Sequence, residues 1–182
     1  MLTKNDIEKY FIAEKQESLL FIILGLVAIV LAALFLFVYK SQFFKGAATP
    51  LIIIGLIQVV VGYTVYNKSD ADRMRMVYAY DMNPTNIKTV EIPRMQKVNN
   101  NFVIYKWIEI GLLVTGLLVV LYHQFSDSGL TKNSNTNVFI YGLAFALSVL
   151  IVIMLTADFF AKKRAIIYSK QLESFVYNNK IP

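Results

Sequence analysis

Four long apolar runs constrain what this chain can fold into more than any other feature of its sequence. They cover residues 18–39, 46–67, 102–122 and 138–160. Each matches the roughly 20 apolar residues that an α-helix needs to cross a bilayer. A hydrophobic fraction of 57% with a charged fraction of only 16% exceeds what a soluble core requires. The sequence therefore predicts an all-α integral membrane protein with four transmembrane helices.

Basic residues are distributed unevenly around the four runs. With the N-terminus in the cytoplasm, fifteen of the 18 basic residues lie on the cytoplasmic side, and only Lys40, Lys45 and Lys132 lie outside. This distribution follows the positive-inside rule. Both termini are therefore predicted to be cytoplasmic, in a bacterial inner membrane. The net charge of +6 is dispersed and forms no compact basic motif, which argues against a nucleic-acid partner.

A single membrane domain is predicted to take in residues 1–182. Residues 68–101 are too long and too charged for a minimal turn, and a break at Asp81 to Pro84 divides two helical patterns. They predict a cytoplasmic helical hairpin between spans two and three, with Pro93 in a first helical turn. Amphipathic helices are predicted at both ends, one starting at a Thr3 and Asp6 capping box and one within the cytoplasmic tail, residues 161–182.

Small residues recur every seven positions in the second span and beyond it. A seven-residue period keeps such residues near one stripe of a helix, where they let a neighbouring backbone approach closely. The pattern predicts a helix-packing seam, and a lined cavity or partner groove is the alternative interpretation. The seam residues are Ala48, Gly55, Gly62 and Ser69, with Gly116 in the third span.

An acid in the third span is the most unusual residue of the apolar runs. Glu109 shares a stripe with Gly116, and ionisable residues in spans usually face protein or water. Gln58 in the second span and Asp158 near the end of the fourth are predicted to lie near the same inner leaflet. We therefore predict a polar cluster of Gln58, Glu109 and Asp158. Glu109 itself acts as a proton or cation site or as a buried anchor for a partner; the alternative is an interfacial acid paired with Lys106 or with a basic residue after the fourth span.

Catalytic and metal-binding chemistry has little support in the sequence. There is no cysteine and one histidine, so thiolate sites and multi-histidine metal or haem sites are excluded. Asp70 and Asp72 have a spacing that suits a divalent cation, but two carboxylates beside basic residues are commonly surface charge. No phosphate-binding loop or nucleophile motif occurs. We predict a protein that is not an enzyme and has no cofactor and no resident metal.

The leading functional hypothesis is a membrane interaction protein that binds another membrane or membrane-inserting protein. An immunity protein that neutralises a pore-forming toxin is one form, and an accessory subunit of a membrane complex is another. The partners are then membrane lipid and a protein docked in the membrane or at the cytoplasmic hairpin, and a homo-oligomer is a further form. The alternative hypothesis is a small oligomeric transporter or channel that uses Glu109 as its proton or cation site.

Overall fold

The computed structural model describes residues 2–125 and 134–180, and over these residues the fold is all-helical. Helix α1 comprises Lys4–Leu34 and continues as a π-helical turn, Phe35–Tyr39. Helix α2 comprises Gln42–Met82, α3 Ile92–Phe125 after a π-helical turn at Ile87–Glu91, and α4 Asn135–Asn178. All four are long and apolar enough to cross a membrane. Lys132, which the predicted topology places outside, is not among the described residues.

The start of α1 confirms the predicted capping box. The Thr3 backbone N–H donates to Asp6 Oδ2 at 2.9 Å, and the Asp6 backbone N–H donates to Thr3 Oγ1 at 3.2 Å. These reciprocal bonds satisfy backbone donors that have no partner inside the helix. The hydrogen bond from Thr3 stabilises the carboxylate and lowers the pKa of Asp6. The first turn of α1 is thus determined by local sequence.

One short irregular segment follows the π-helical turn after α1, and another follows α2. Lys40 takes a left-handed conformation with φ of 53°, which ends the π-helical turn after α1. Helix α2 ends at Met82, the second residue of the break predicted from Asp81 to Pro84. Pro93 is the second residue of α3, but the π-helical turn Ile87–Glu91 leads into α3 without a break, so the proline lies inside a continuous helical stretch and not in its first turn as predicted.

The amphipathic helices predicted at the two ends of the chain are not separate helices. Residues 161–178 continue α4, and residues 4–17 belong to α1. Each apolar span and its polar extension therefore form one continuous helix, because the residues between them include no helix breaker.

The contacts divide the chain into two compact units that share the four helices. Unit 1 comprises Met1–Leu20, Val61–Tyr105 and Ala157–Pro182, and unit 2 comprises Phe21–Val60 and Lys106–Thr156. Among the described residues only four charged ones belong to unit 2: Lys40, Lys45, Lys106 and Glu109. The two units thus differ in charge as well as in their contacts.

Unit 1 has a core built from all four helices. Its buried apolar residues include Phe11 from α1, Met76 from α2, Met95 from α3 and Tyr168 from α4, each 1% exposed. The predicted tail residues Ala165, Tyr168, Leu172 and Phe175 belong to this core. The apolar face of the predicted tail helix is therefore covered by protein.

Unit 2 has small residues inside and large apolar residues outside. Its buried cluster comprises Ala28, Ala32, Ala48, Leu51 and Leu150, whereas Val30, Val60 and Leu118 are at least 60% exposed. An interior of alanine and glycine with leucine and valine on the surface reverses the arrangement of a water-soluble bundle. Small residues inside let the helix backbones approach one another closely.

Glycines mark the closest approaches in unit 2. A Cβ atom added at Gly55 would lie 2.9 Å from the backbone oxygen of Gly25, and one added at Gly116 would lie 2.5 Å from Ser148 Oγ. A Cβ atom added at Gly111 would meet nothing within 4 Å. Gly55 and Gly116 thus lie where helices cross, α2 on α1 and α3 on α4, and Gly111 does not.

We expect Gly55→Ala to destabilise the fold and Gly111→Ala to serve as its matched control. The added methyl group at Gly55 meets the backbone oxygen of Gly25, which cannot rotate away, and overpacking of this kind costs about 1–3 kcal/mol. At Gly111 the same change fills open space and removes the flexibility of glycine from a helix, which gains about 0.5–1 kcal/mol. Thermal unfolding in mild detergent measures both. Equal midpoints for the two variants would contradict the close helix contact.

Candidate functional site

A layer of buried and partly buried charged and polar side chains crosses the core of unit 1, and every helix contributes to it. We call it the ionic layer; it comprises Tyr10, Glu14, Glu17, Ser69, Glu91, Arg94, Arg164 and Tyr168. Buried charges are costly unless they are paired and hydrogen-bonded. The ionic layer is therefore the part of unit 1 whose geometry is most exacting.

The centre of the ionic layer is an ion pair between a fully buried carboxylate and a partly buried guanidinium. Glu91 is 0% exposed, and its carboxylate accepts two hydrogen bonds from Arg94, at 2.9 Å from Nε and 2.6 Å from Nη2. The Arg94 guanidinium also lies over the Phe11 ring, 5.3 Å from its centroid. Burial opposes the charge of Arg94, but the hydrogen bonds and negative charge of Glu91 prevail and raise its pKa. Arg94 is therefore charged in the folded protein.

A second carboxylate lies in the ionic layer with hydroxyl donors in place of a cation. Glu14 is partly buried and accepts hydrogen bonds from the hydroxyls of Tyr10 and Ser69, both at 3.3 Å. Burial raises the pKa of Glu14, although the nearby charges of Arg94 and Arg164 act in the opposite direction. Glu14 therefore takes up a proton more readily than a solvent-exposed glutamate.

Aromatic rings join the two ion pairs of the layer. Tyr10 stacks on Tyr168 with ring centroids 4.1 Å apart, and the Arg164 guanidinium lies 5.8 Å from the Tyr10 centroid. Arg164 forms a bidentate ion pair with Glu17. Burial raises the pKa of Tyr10 and of Tyr168, with the charge of Glu14 adding to the first and that of Glu91 to the second. Both tyrosines are neutral at physiological pH; the Tyr10 hydroxyl donates to Glu14, whereas the buried Tyr168 hydroxyl has no hydrogen-bond partner among the described residues.

The chemistry available to the ionic layer is structural pairing and proton uptake. Among the described residues no group of three or more histidine, aspartate or glutamate side chains is placed to hold a metal ion. The aspartates with metal-like spacing face cations instead: Asp70 pairs with Lys15 and Arg73, and Asp72 with Arg75. A charge layer of this type fixes the register of the helices that supply it.

The predicted polar cluster is divided between the units. Gln58 and Glu109 are buried in unit 2, with exposed fractions of 4% and 5%, whereas Asp158 is partly buried in unit 1. The side-chain oxygen of Gln58 has no hydrogen-bond partner among the described residues. Gln58 and Glu109 lie within four residues of the ends of their unit 2 segments, and the cluster of all three stays a prediction.

The predicted seam residues are all buried. Ala48 belongs to the core of unit 2, Gly55 meets α1, and Gly116 meets α4. Gly62 and Ser69 lie in unit 1, where the Ser69 hydroxyl donates to Glu14. One regular spacing thus serves close helix packing in unit 2 and polar contact in unit 1.

Two features escaped the sequence interpretation. The ionic layer was not predicted, although Glu91 lies four residues before the buried Met95, a spacing that puts both on one helix face. Gly25 was also missed, and its signal is its spacing of seven residues from both Ser18 and Ala32, which are buried too. In both cases the regular spacing of residues along the helix indicates the buried position.

The fold defines an all-helical protein whose four long helices are apolar enough to span a membrane. Comparison with protein-family models, curated proteins and solved structures finds no match for this chain.

We expect Arg94→Met to destabilise unit 1 by about 3–5 kcal/mol, because it leaves the fully buried carboxyl group of Glu91 without its ion-pair partner. Replacing both partners, as in Glu91→Met with Arg94→Met, should cost less than Arg94→Met alone, since no charge remains buried. Lys4→Met is the control: its ion pair with Asp81 is exposed, at 52% and 38% for the two side chains, and little change is expected. Equilibrium unfolding in mild detergent measures all three. A loss no greater for Arg94→Met than for Lys4→Met would contradict the role of the pair.

Proposed function

We propose that the protein is an integral membrane protein with unit 2 in the bilayer and unit 1 in the cytoplasm. Residues 21–39, the last part of α1 and the π-helical turn after it, rise about 28 Å at 1.5 Å per residue, close to the roughly 30 Å of a hydrocarbon core. The large exposed apolar residues of unit 2 then contact lipid. The excess of basic residues at the unit 1 ends of the spans supports cytoplasmic termini by the positive-inside rule, and the membrane we propose is a bacterial inner membrane.

Aromatic residues support this placement at both ends of the apolar segments. Tyr105 and Trp107 lie where α3 passes from unit 1 to unit 2, with exposed fractions of 51% and 68%. At the other ends, Tyr39 is 58% exposed and Tyr122 is 76% exposed. Tyrosine and tryptophan favour the two interfaces of a bilayer because one part of each ring system is apolar and another can bond to water.

The function we propose is binding of another membrane or membrane-inserting protein, without catalysis. The observation that carries it is an exposed apolar stripe on α2 in unit 1, formed by Met74, Tyr78 and Met82. These residues are 65%, 65% and 71% exposed, and their spacing of four residues puts them on one helix face. Methionine and tyrosine are enriched in the cores of protein interfaces.

The length of α2 argues that protein, rather than lipid, covers the apolar stripe. Met74 lies about 20 Å and Met82 about 32 Å along the helix from Val61, where α2 enters unit 1. The headgroup region beyond the hydrocarbon core is only about 5–8 Å thick on each side. A stripe that extends well past the headgroups, in a unit whose core is already complete, is suited to a protein partner.

Two forms of partner agree with this proposal. An immunity protein would hold a pore-forming toxin at the membrane, and an accessory subunit would join a larger membrane complex. Both rest on analogy of size and number of spans, which is a fold-level argument. A second copy of the chain is a further partner that the same stripe accommodates.

We expect a stoichiometric protein companion to co-purify with the tagged chain from its native membrane in mild detergent. The double substitution Tyr78→Ser with Met82→Ser should weaken that companion's binding by at least about 30-fold, because central interface residues carry 2 kcal/mol or more. Tyr177→Ser is the control, since Tyr177 is 84% exposed in unit 1 but lies on α4. A companion that both variants retain equally would overturn the role of the stripe. Absence of any companion would overturn the proposed function.

The second candidate function is transport of protons or cations through an oligomer, and the burial of Glu109 and Gln58 in unit 2 favours it. Acids within a span commonly mark an ion pathway. If the protein is such a transporter, we expect Glu109→Gln to abolish ion flux into proteoliposomes while the protein still folds and inserts. Glu173→Gln, at an exposed acid of unit 1, is the control and leaves flux unchanged. No flux with the wild-type protein, or flux that Glu109→Gln leaves intact, would exclude this function.

A further inference from the structure

Four lysines of unit 1 lie close to the places where their helices enter unit 2. Along the helices, Lys68 lies about 10 Å from Val61, Lys97 about 12 Å from Tyr105, and Lys162 and Lys163 about 8–9 Å from Ala157. We call these four residues the basic edge. If unit 2 occupies the bilayer, as proposed above, the flexible side chains of the basic edge reach the headgroup region.

Among the described residues none of the four lysines of the basic edge has an ion-pair partner within 4 Å, whereas Lys15 pairs with Asp70 and Arg164 with Glu17. Lys68, Lys97 and Lys163 are exposed, and Lys162 is partly buried. Of the acids in the same helical turns, Asp70 is already paired with Lys15 and Arg73, and Asp158 forms no ion pair with Lys162 within 4 Å. The basic edge therefore presents positive charge that no ion pair of the described residues neutralises.

Apolar aromatic side chains accompany these lysines. Tyr63 is 61% exposed, Phe159 is 63% exposed and Phe160 is 61% exposed, each within one and a half turns of a lysine of the basic edge. Aromatic rings of this kind lie among the upper acyl chains and headgroups, and lysines above them meet lipid phosphates. A soluble acidic protein would match the charge but would leave the aromatic residues exposed.

We infer that the basic edge binds anionic phospholipid headgroups. The inference rests on the proposed membrane insertion and goes beyond it, because insertion alone requires no preference between anionic and zwitterionic lipids. Each lysine near an anionic surface contributes about a fivefold gain in affinity, so the four together favour a shell of anionic lipid around the cytoplasmic ends of the spans. The preference should weaken as the salt concentration rises, since exposed charges are screened over about 10 Å at 0.1 M salt.

The test compares two lysine pairs on α4 in the full-length protein. Wild-type protein is reconstituted into nanodiscs of mixed phosphatidylglycerol and phosphatidylcholine, and the lipids retained after extraction are counted by mass spectrometry. Wild type should retain phosphatidylglycerol preferentially. Lys162→Gln with Lys163→Gln should lower that preference on the order of tenfold or more. Lys170→Gln with Lys180→Gln removes the same net charge about 20 Å or more from Ala157 and should leave the preference unchanged.

Separate readouts distinguish failure of the inference from failure of membrane insertion. Trp107 is the only tryptophan and is 68% exposed near the start of the unit 2 segment of α3. Quenching of its fluorescence by brominated phosphatidylcholine reports insertion independently of headgroup charge. Quenching with equal retention of the two lipids, or with equal loss in the two lysine pairs, would overturn the basic edge as a lipid site. Absence of quenching would overturn the insertion on which it rests.

Discussion

The continuity of the four helices is the constraint on which the rest of the structure depends. Each helix supplies side chains to both compact units, so its buried face must suit two kinds of packing. On α2, for example, Gly55 brings a backbone close to α1 in unit 2, and Ser69 donates to Glu14 in unit 1. Rotating α2 about its axis to relieve one of these two contacts would disrupt the other. The seven-residue spacing meets both demands because it keeps these residues near one stripe.

The two units are held together by different physical effects. Unit 1 buries large side chains such as Phe11, Met95 and Tyr168, which removes apolar surface from water. It also contains the ionic layer, which stabilises the fold only when each charge is paired. Unit 2 leaves its large apolar residues outside and relies on close backbone contact between small residues. This contrast is what the proposed division between cytoplasm and bilayer requires. It also explains why the apolar stripe of unit 1 and the lipid-facing surface of unit 2 have different proposed partners.

Local patterns in the sequence predicted much of the fold. Four apolar runs of about 20 residues predicted four long helices, and Thr3 with Asp6 predicted the start of α1, because a helix and its cap depend on residues close together in the chain. The regular glycine spacing predicted which face of α2 is buried. The candidate site was harder to predict: Glu14, Glu91 and Arg164 lie far apart in the sequence among other charged residues, and the only local sign of a buried glutamate is the four-residue spacing of Glu91 from Met95.

The sequence by itself determined the helices, their apolar segments and the small-residue faces, since each follows from composition and period within one stretch of chain. Only the tertiary structure decided that Glu91 is fully buried against Arg94, that Gly55 meets Gly25 while Gly111 meets nothing, and that Met74, Tyr78 and Met82 are left uncovered. The physical reason is that burial and pairing are properties of two helices together. A residue's own helix specifies the direction of its side chain, and the neighbouring helix decides what that side chain meets.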